Sequence, residues 1–280
     1  MNNIFSKKVL SFFKCFPINN TSRLFKPTLG RRTGFNTLTL KFGFNPLYVK
    51  GFFSASLLFC ITSQIQRVKA EEHEGDEFIK ELKEHLHEII KEQGASSKDA
   101  AKIYYNLGFA YAAKEDFKTA IAYYEKALAI IEKEYGKESN DYASTIAAMA
   151  PIWIMTGYSK RAIEKINEAI EVKKKLYGKN HNEVAILYSN LGGAYFAIAD
   201  YKNAIESLKT AQETYSIHDG ESSTSVISTL INISACYDRL GDKQNAIKVL
   251  EQAQQKLKKN KYLDPEYERF IEAEIKRLSK

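Results

Sequence analysis

Residues 104–127 read YYNLGFAYAAKEDFKTAIAYYEKA, and the same spacing of side chains returns three more times at intervals of 42 residues. Four columns of residues keep this interval without slippage. They are Ala120, Ala162, Ala204 and Ala246; Ile121, Ile163, Ile205 and Ile247; Ala127, Ala169, Ala211 and Ala253; and Tyr111, Trp153, Tyr195 and Tyr237. A fixed period of a few tens of residues indicates stacked repeats, which present extended binding surfaces rather than enclosed active sites.

Each unit is predicted to hold two helices joined by a short polar turn. In the first unit, the first helix carries Tyr104, Leu107, Gly108 and Tyr111 on one face, and the second carries Ala120, Tyr124 and Ala127. The small residues let the paired helices approach closely, while the tyrosines fill the space beside them. Pro151 falls within the first helix of the second unit, where a proline removes a backbone hydrogen bond and predicts a bend.

This order of large residue, Leu-Gly, Tyr, Ala, aromatic and Ala resembles the tetratricopeptide repeat over residues 101–257. The common form has 34 residues, and the roughly eight additional residues here follow the second helix and lead to Gly136, Gly178 and Gly220. A glycine just past a helix end favours the left-handed conformation that stops the helix. The longer unit resembles the kinesin light chain subgroup. The resemblance implies an all-α fold, a right-handed α-α superhelix of four repeats.

The predicted domain organisation has four parts. Residues 1–70 form a leader, 71–100 an N-terminal capping helix, 101–262 four repeats starting near 101, 143, 185 and 227, and 263–280 a C-terminal capping helix. The capping helix at 263–280 is highly charged on one side, as expected for the solvent-exposed outer face of a terminal unit.

The leader contains no Asp or Glu and holds eleven Lys and Arg residues. The rest of the chain carries 30 basic and all 34 acidic residues, a net charge of −4, which argues against a nucleic-acid-binding surface. An acid-free, basic leader resembles a mitochondrial transit peptide. The alternative is a disordered basic tail on a cytoplasmic protein.

A second signal follows within the leader. Residues 51–66 are uncharged and largely apolar, and Val68-Lys69-Ala70 resembles a signal-peptidase cleavage site. The stretch is short for a bilayer core of about 30 Å, but flanking Lys50 and Arg67 could snorkel. This layout resembles a two-part sorting signal for the mitochondrial intermembrane space or inner membrane. Retention of the stretch as an anchor and cleavage of the leader both stay open.

The first helix of each repeat lines the concave groove in the family that this sequence resembles. Asn106, Asn190 and Asn232 share one groove column, and an amide side chain can both donate to and accept from a peptide backbone. The alternative is that these amides satisfy the backbone of a neighbouring helix. The residues predicted to contact a partner are Asn106, Asn190, Asn232, Tyr105, Phe109, Ile154, Met155, Phe196 and Arg239. The apolar members, if exposed together, predict a partner-binding patch.

No catalytic constellation is recognisable. His85 and His87 are two residues apart on a helix and cannot share a metal there, and no cysteine pair or phosphate loop occurs. The run Lys173–Lys175 is interpreted as a solvated helix face. The sequence therefore predicts a protein that is not an enzyme and binds no cofactor or metal.

The predicted function is a non-catalytic scaffold that binds a partner polypeptide in its groove and supports assembly or maturation of a respiratory complex of the mitochondrial inner membrane. The alternative is a cytosolic adaptor for cargo or trafficking, similar to kinesin light chain.

Overall fold

The computed structural model describes residues 72–260 and 265–280, and within them it contains ten α-helices and no strand. The helices are α1 (Glu72–Gln93), α2 (Lys98–Ala113), α3 (Phe117–Tyr135), α4 (Asn140–Met155), α5 (Ser159–Tyr177), α6 (Asn182–Ala197), α7 (Tyr201–His218), α8 (Thr224–Arg239), α9 (Lys243–Lys259) and α10 (Pro265–Leu278). The prediction of an all-α fold is confirmed. The predicted leader, with its apolar stretch at 51–66, lies outside the described residues.

The helices pack in consecutive pairs. The first helices α2, α4, α6 and α8 each pack against the second helix that follows, α3, α5, α7 and α9. Each second helix of the first three repeats also contacts the next first helix, and α4 contacts both α2 and α6. Because every helix meets mainly its neighbours in sequence, the repeats stack into a solenoid. No helix in the described ranges combines the length and apolarity needed to cross a bilayer.

Small residues set how closely the paired helices approach, as the sequence predicted. Ala120 and Ala127 are fully buried, and so are their equivalents in the later repeats. A Cβ placed on Gly192 would lie 2.6 Å from Cγ of Leu208, and one on Gly108 would lie 2.8 Å from the Tyr124 ring. A larger side chain at either glycine would therefore push the second helix away.

The connection between repeats is also periodic. Gly94, Gly136, Gly178 and Gly220 are 42 residues apart, and their φ angles lie between 79° and 89°. Three residues after each glycine stands the residue that caps the next first helix: Ser97, Ser139, His181 and Ser223. Gly94 extends this register to α1, which therefore corresponds to a second helix. Because Ser97 caps α2, the first repeat begins at Lys98, slightly before its predicted start near 101.

The helix α4 runs continuously from Asn140 to Met155 with Pro151 inside it. Proline has no N–H, so the carbonyl of Ala147, four residues earlier, loses its helical donor. The side-chain amide of Asn190, on α6, donates to that carbonyl at 3.4 Å. A side chain of the next repeat thus replaces the missing backbone donor.

Both terminal helices cover the ends of the core. The helix α1 buries Ile79, Leu82, Leu86 and Ile89 against the first repeat, and α10 buries Tyr267, Ile271 and Leu278 against the last. A hydrogen-bonded ion pair from Arg277 to Asp238, 2.7 Å long, also joins α10 to α8. The remaining side chains of α1 and α10 are mostly exposed and charged, as expected for capping elements.

Candidate partner-binding surface

The predicted partner-contacting residues all lie on the first helices, and we call the surface they share with the adjacent first-helix residues the groove face. Four of the nine are accessible: Asn106, Phe109 and Met155 are half-buried, and Arg239 is exposed. The other five, Tyr105, Ile154, Asn190, Phe196 and Asn232, are each less than a tenth exposed. The accessible part of the predicted set therefore spans α2, α4 and α8.

The expected apolar patch is smaller than the sequence suggested. The ring of Tyr105 meets that of Tyr124 edge-on with centroids 5.2 Å apart, and Phe196 meets Tyr201 at the same distance. The guanidinium of Arg239 lies 5.8 Å from the centroid of the Phe196 ring. Neighbouring side chains cover the rings of Tyr105 and Phe196, and Ile154 is also buried, so these three residues are not exposed as expected. Phe109 and Met155 keep apolar surface open.

The three asparagines of the groove column differ in their surroundings. Asn190 is 1% exposed, and its Nδ2 is committed to the Ala147 carbonyl, which is the structural alternative considered from the sequence. Its Oδ1 is buried and accepts no hydrogen bond from the described residues. Asn106, in the first repeat, stays half-buried. Asn106 is thus the member of the column best placed to meet a partner directly.

The interpretation of Lys173 as a solvated residue is wrong. Its side chain is 1% exposed, and its Nζ donates to Oδ1 of Asn140 at 2.5 Å and to Oγ of Ser144 at 2.8 Å, and it pairs with the carboxylate of Glu183. Burial lowers the pKa of Lys173, although the charges of Glu183 and Asp141 oppose that shift. The cluster joins α5 to the starts of α4 and α6 and so links the second repeat to the third.

A break in the periodic pattern could have revealed Lys173. The equivalent positions in the other repeats are Ile131, Tyr215 and Leu257, all buried. A charged residue in a column of buried residues must be paired, and its neighbours in the run, Lys174 and Lys175, do follow the expected pattern by pairing with Glu171 and Glu138.

Carboxylates also recur at the starts of the first helices. Asp99, Asp141 and Glu183 are 42 residues apart. Asp99 accepts a hydrogen bond from Lys102 at 2.8 Å, and Glu183 pairs with Lys173. The carboxylate of Asp141 has no hydrogen bond or ion pair to any residue in the described ranges. Burial raises the pKa of Asp141, outweighing the opposing effects of Lys173 and Lys102.

Within 72–260 and 265–280, no group of three or more His, Cys, Asp or Glu could hold a metal ion. His181 uses its Nδ1 to cap α6, accepting from the Glu183 N–H at 3.2 Å. Burial raises the pKa of the Cys236 thiol to about 12, which leaves it a poor nucleophile.

These features define a solenoid of helical hairpins in which the first helices α2, α4 and α6 contact one another in order. Two family models, both described as tetratricopeptide repeat, match the chain, one over residues 99–150 and 159–217 and the other over 227–255. The chain belongs to the tetratricopeptide repeat family. Domains of this family typically bind segments of other proteins. None of the curated proteins matches the chain in sequence.

Solved structures share the fold at low sequence identity. BtubC (BKLC) from P. vanneervenii is 24% identical, with a TM-score of 0.62 over 78% of this chain and 92% of that one. A kinesin light chain protein with nearly identical TPR-like repeats from Podosopora anserina is 18% identical, with a TM-score of 0.59 over 68% and 90%. The apo form of RapI is 16% identical, with a TM-score of 0.60 over 83% and 63%.

Proposed function

We propose that this protein is a non-catalytic scaffold that binds an extended segment of a partner polypeptide across the groove face. The observation that carries the proposal is the accessible set on α2, α4 and α8, in which polar Asn106 and Arg239 accompany apolar Phe109 and Met155. Apolar surface flanked by polar groups is typical of a protein-binding site. Membership of the tetratricopeptide repeat family supports the same role, because domains of this family typically bind polypeptide segments.

The proposal is tested by substituting Phe109 and Met155 with Asp and measuring which proteins a cross-linkable version of the full chain captures. Ile217, which is 66% exposed near the end of α7, provides a matched control because Ile217→Asp adds the same charge away from the groove face. Capture lost in the groove variants and kept in the control supports the proposal. Equal capture by all variants, each with unchanged helix content, rules it out.

We further propose that residues 1–70 direct the chain to mitochondria, to the intermembrane space or inner membrane, where it assists assembly or maturation of a respiratory complex. The acid-free leader and its apolar stretch at 51–66 support this destination. A reporter fused to the C-terminus should enter mitochondria and become protected from protease, and deletion of 1–70 should leave it in the cytosol. A full-length fusion that stays cytosolic would refute this part of the proposal.

A second candidate function is a cytosolic cargo or trafficking adaptor. The 42-residue period and the shared fold of the Podosopora anserina kinesin light chain protein favour it. The two candidates differ in location rather than in binding mode, so the same reporter experiment separates them.

A further inference from the structure

The residue that caps α6 differs in kind from the caps of the other first helices. The helices α2, α4 and α8 are capped by the hydroxyls of Ser97, Ser139 and Ser223, whereas α6 is capped by the ring of His181. Nδ1 of His181 accepts a hydrogen bond from the Glu183 N–H at 3.2 Å. An imidazole nitrogen accepts only while it carries no proton, and histidine is the side chain that ordinarily gains one between pH 8 and pH 5. A serine hydroxyl keeps its acceptor oxygen throughout that interval.

The ring of His181 lies where the second and third repeats meet. It stacks on the ring of Tyr177 with centroids 4.6 Å apart, and it meets the ring of His218 edge-on at 5.8 Å. Tyr177 ends α5 of the second repeat, and His218 ends α7 of the third. The hydroxyl of Tyr177 donates to Oδ1 of Asn140 at 2.9 Å, which extends the contact to the start of α4. A change at this ring therefore reaches both repeats.

The carboxylates around the ring are not paired with it. The charged groups on the surrounding elements are Lys173 on α5, Lys179 in the loop, Glu183 on α6, Asp219 after α7 and Asp141 on α4. Glu183 pairs with Lys173, and Asp219 pairs with the ring of His218 at 3.1 Å. Among the described residues, no carboxylate forms an ion pair with His181. A proton on its Nδ1 thus removes a hydrogen bond without completing a new ion pair.

We propose that His181 makes the junction between the second and third repeats sensitive to pH, because protonation of Nδ1 releases the start of α6. The proton removes the acceptor of the Glu183 N–H and places a positive charge at the positive end of the α6 dipole. The ring also faces His218, a second histidine that titrates in the same interval, so two like charges meet at acidic pH. This property is independent of partner binding and goes beyond the proposed function.

The consequence for Glu183 connects the cap to the buried cluster. The N–H of Glu183 is held by His181, and its carboxylate is held by the ammonium of Lys173 on α5. Two interactions thus fix this residue at the start of α6, and one of them requires an unprotonated ring. In acid, only the ion pair with Lys173 holds the start of α6 against the second repeat. The equivalent starts of α4 and α8 have no such dependence, because a serine caps each of them.

The first test compares melting temperatures at about pH 8 and about pH 5.5 in the full chain and in His181→Ser, which installs the cap residue of the other repeats. On acidification, the parent should lose about 2–4 °C more than His181→Ser does. His181→Asn, which also caps without titrating, should behave like His181→Ser. The matched control is His87→Ser, which removes an exposed histidine of α1 and should keep the pH dependence of the parent.

The second test locates the effect by amide hydrogen exchange. At about pH 5.5, the amides of residues 182–185 should exchange about 5-fold faster in the parent than in His181→Ser at the same pH. The amides of residues 140–143, behind the serine cap of α4, provide an internal control and should exchange equally in both proteins. At about pH 8, the two proteins should exchange alike within a factor of about 2 at both helix starts.

Two results would overturn the inference. If acidification lowers the melting temperatures of the parent, His181→Ser and His181→Asn by the same amount, and exchange at 182–185 is equal, the cap does not respond to pH. His218→Ser leaves the cap in place and should retain an acid-dependent loss. If His218→Ser abolishes that loss entirely, repulsion between the two histidines carries the effect and the cap does not. Either result leaves the proposed binding function untouched.

Discussion

The side-chain amide of Asn190 donates to the backbone carbonyl of Ala147, the same carbonyl that Pro151 deprives of its helical donor. The two residues belong to successive repeats, so a defect within one helix is compensated by its neighbour. A buried carbonyl left without any donor destabilises a protein by about 1–3 kcal/mol. This contact therefore explains why α4 tolerates an internal proline.

Asn190→Ala should consequently lower the free energy of unfolding by about 1–3 kcal/mol, as measured by urea denaturation. The same substitution in a Pro151→Ala background should be milder by about 1 kcal/mol, because the alanine introduced there would supply the missing N–H. An equal loss in both backgrounds would show that Asn190 stabilises the chain by other contacts.

The buried ion pair between Lys173 and Glu183 gives a second stability prediction. Glu183→Gln leaves the ammonium of Lys173 buried and without its counter-charge, and it should destabilise the protein by about 3–5 kcal/mol. Adding Lys173→Leu should recover most of that loss, because leucine occupies the equivalent position at Leu257 and buried pairs are often replaceable by apolar residues.

The matched control is Lys175→Gln, which breaks the exposed pair between Lys175 and Glu138. Exposed pairs contribute little, so its unfolding curve should coincide with that of the parent within about 0.5 kcal/mol. A double variant, Lys173→Leu with Glu183→Gln, that stays as unstable as Glu183→Gln alone would mean that the pair is not the source of the effect.

The raised pKa of Asp141 predicts that the free energy of unfolding depends on pH. Burial raises the pKa of Asp141 in the folded chain above the ordinary value of 3.8. At a pH between these two values, the folded state holds a proton that the unfolded state has lost. Stability is therefore lost as pH rises through this interval, and the full penalty is present at neutral pH. Asp141→Asn should raise the melting temperature at pH 7, and the gain should vanish as pH falls below about 3.8.

The control is Glu206→Gln, which removes the same charge at an exposed position on α7 and should leave the melting temperature unchanged. A lower melting temperature for Asp141→Asn at pH 7 would contradict the sign of the pKa shift.

Periodicity was sufficient to predict the helical pairs, the close packing at Gly108 and the helix ends at Gly136 and Gly178, because these depend on residues that recur in every repeat. It could not predict contacts that occur once. The donation from Asn190 to Ala147 exists because one repeat contains a proline, and the burial of Lys173 depends on Glu183 in the next repeat. The contacts of Asn190 and Lys173 are both of this kind, so periodicity alone could not predict them.

The turns between paired helices offer a test of backbone strain within one chain. Glu115, Gly157, Ala199 and Gly241 are equivalent by the 42-residue period, and all have positive φ, 62° at Glu115 and Ala199 and 79–87° at the glycines. A side chain in this conformation is strained by roughly 1 kcal/mol. Ala199→Gly should therefore raise the free energy of unfolding by about 0.5 kcal/mol, since relief of strain exceeds the added flexibility of the unfolded chain.

Gly157→Ala should have the opposite effect and destabilise by about 1 kcal/mol, although a Cβ there would meet no atom within 4 Å. Because both positions lie in exposed turns, packing cannot account for a difference between them. Urea unfolding of the two single variants gives the comparison directly. If both substitutions shift stability in the same direction, the shared turn conformation is not what distinguishes glycine from alanine at these positions.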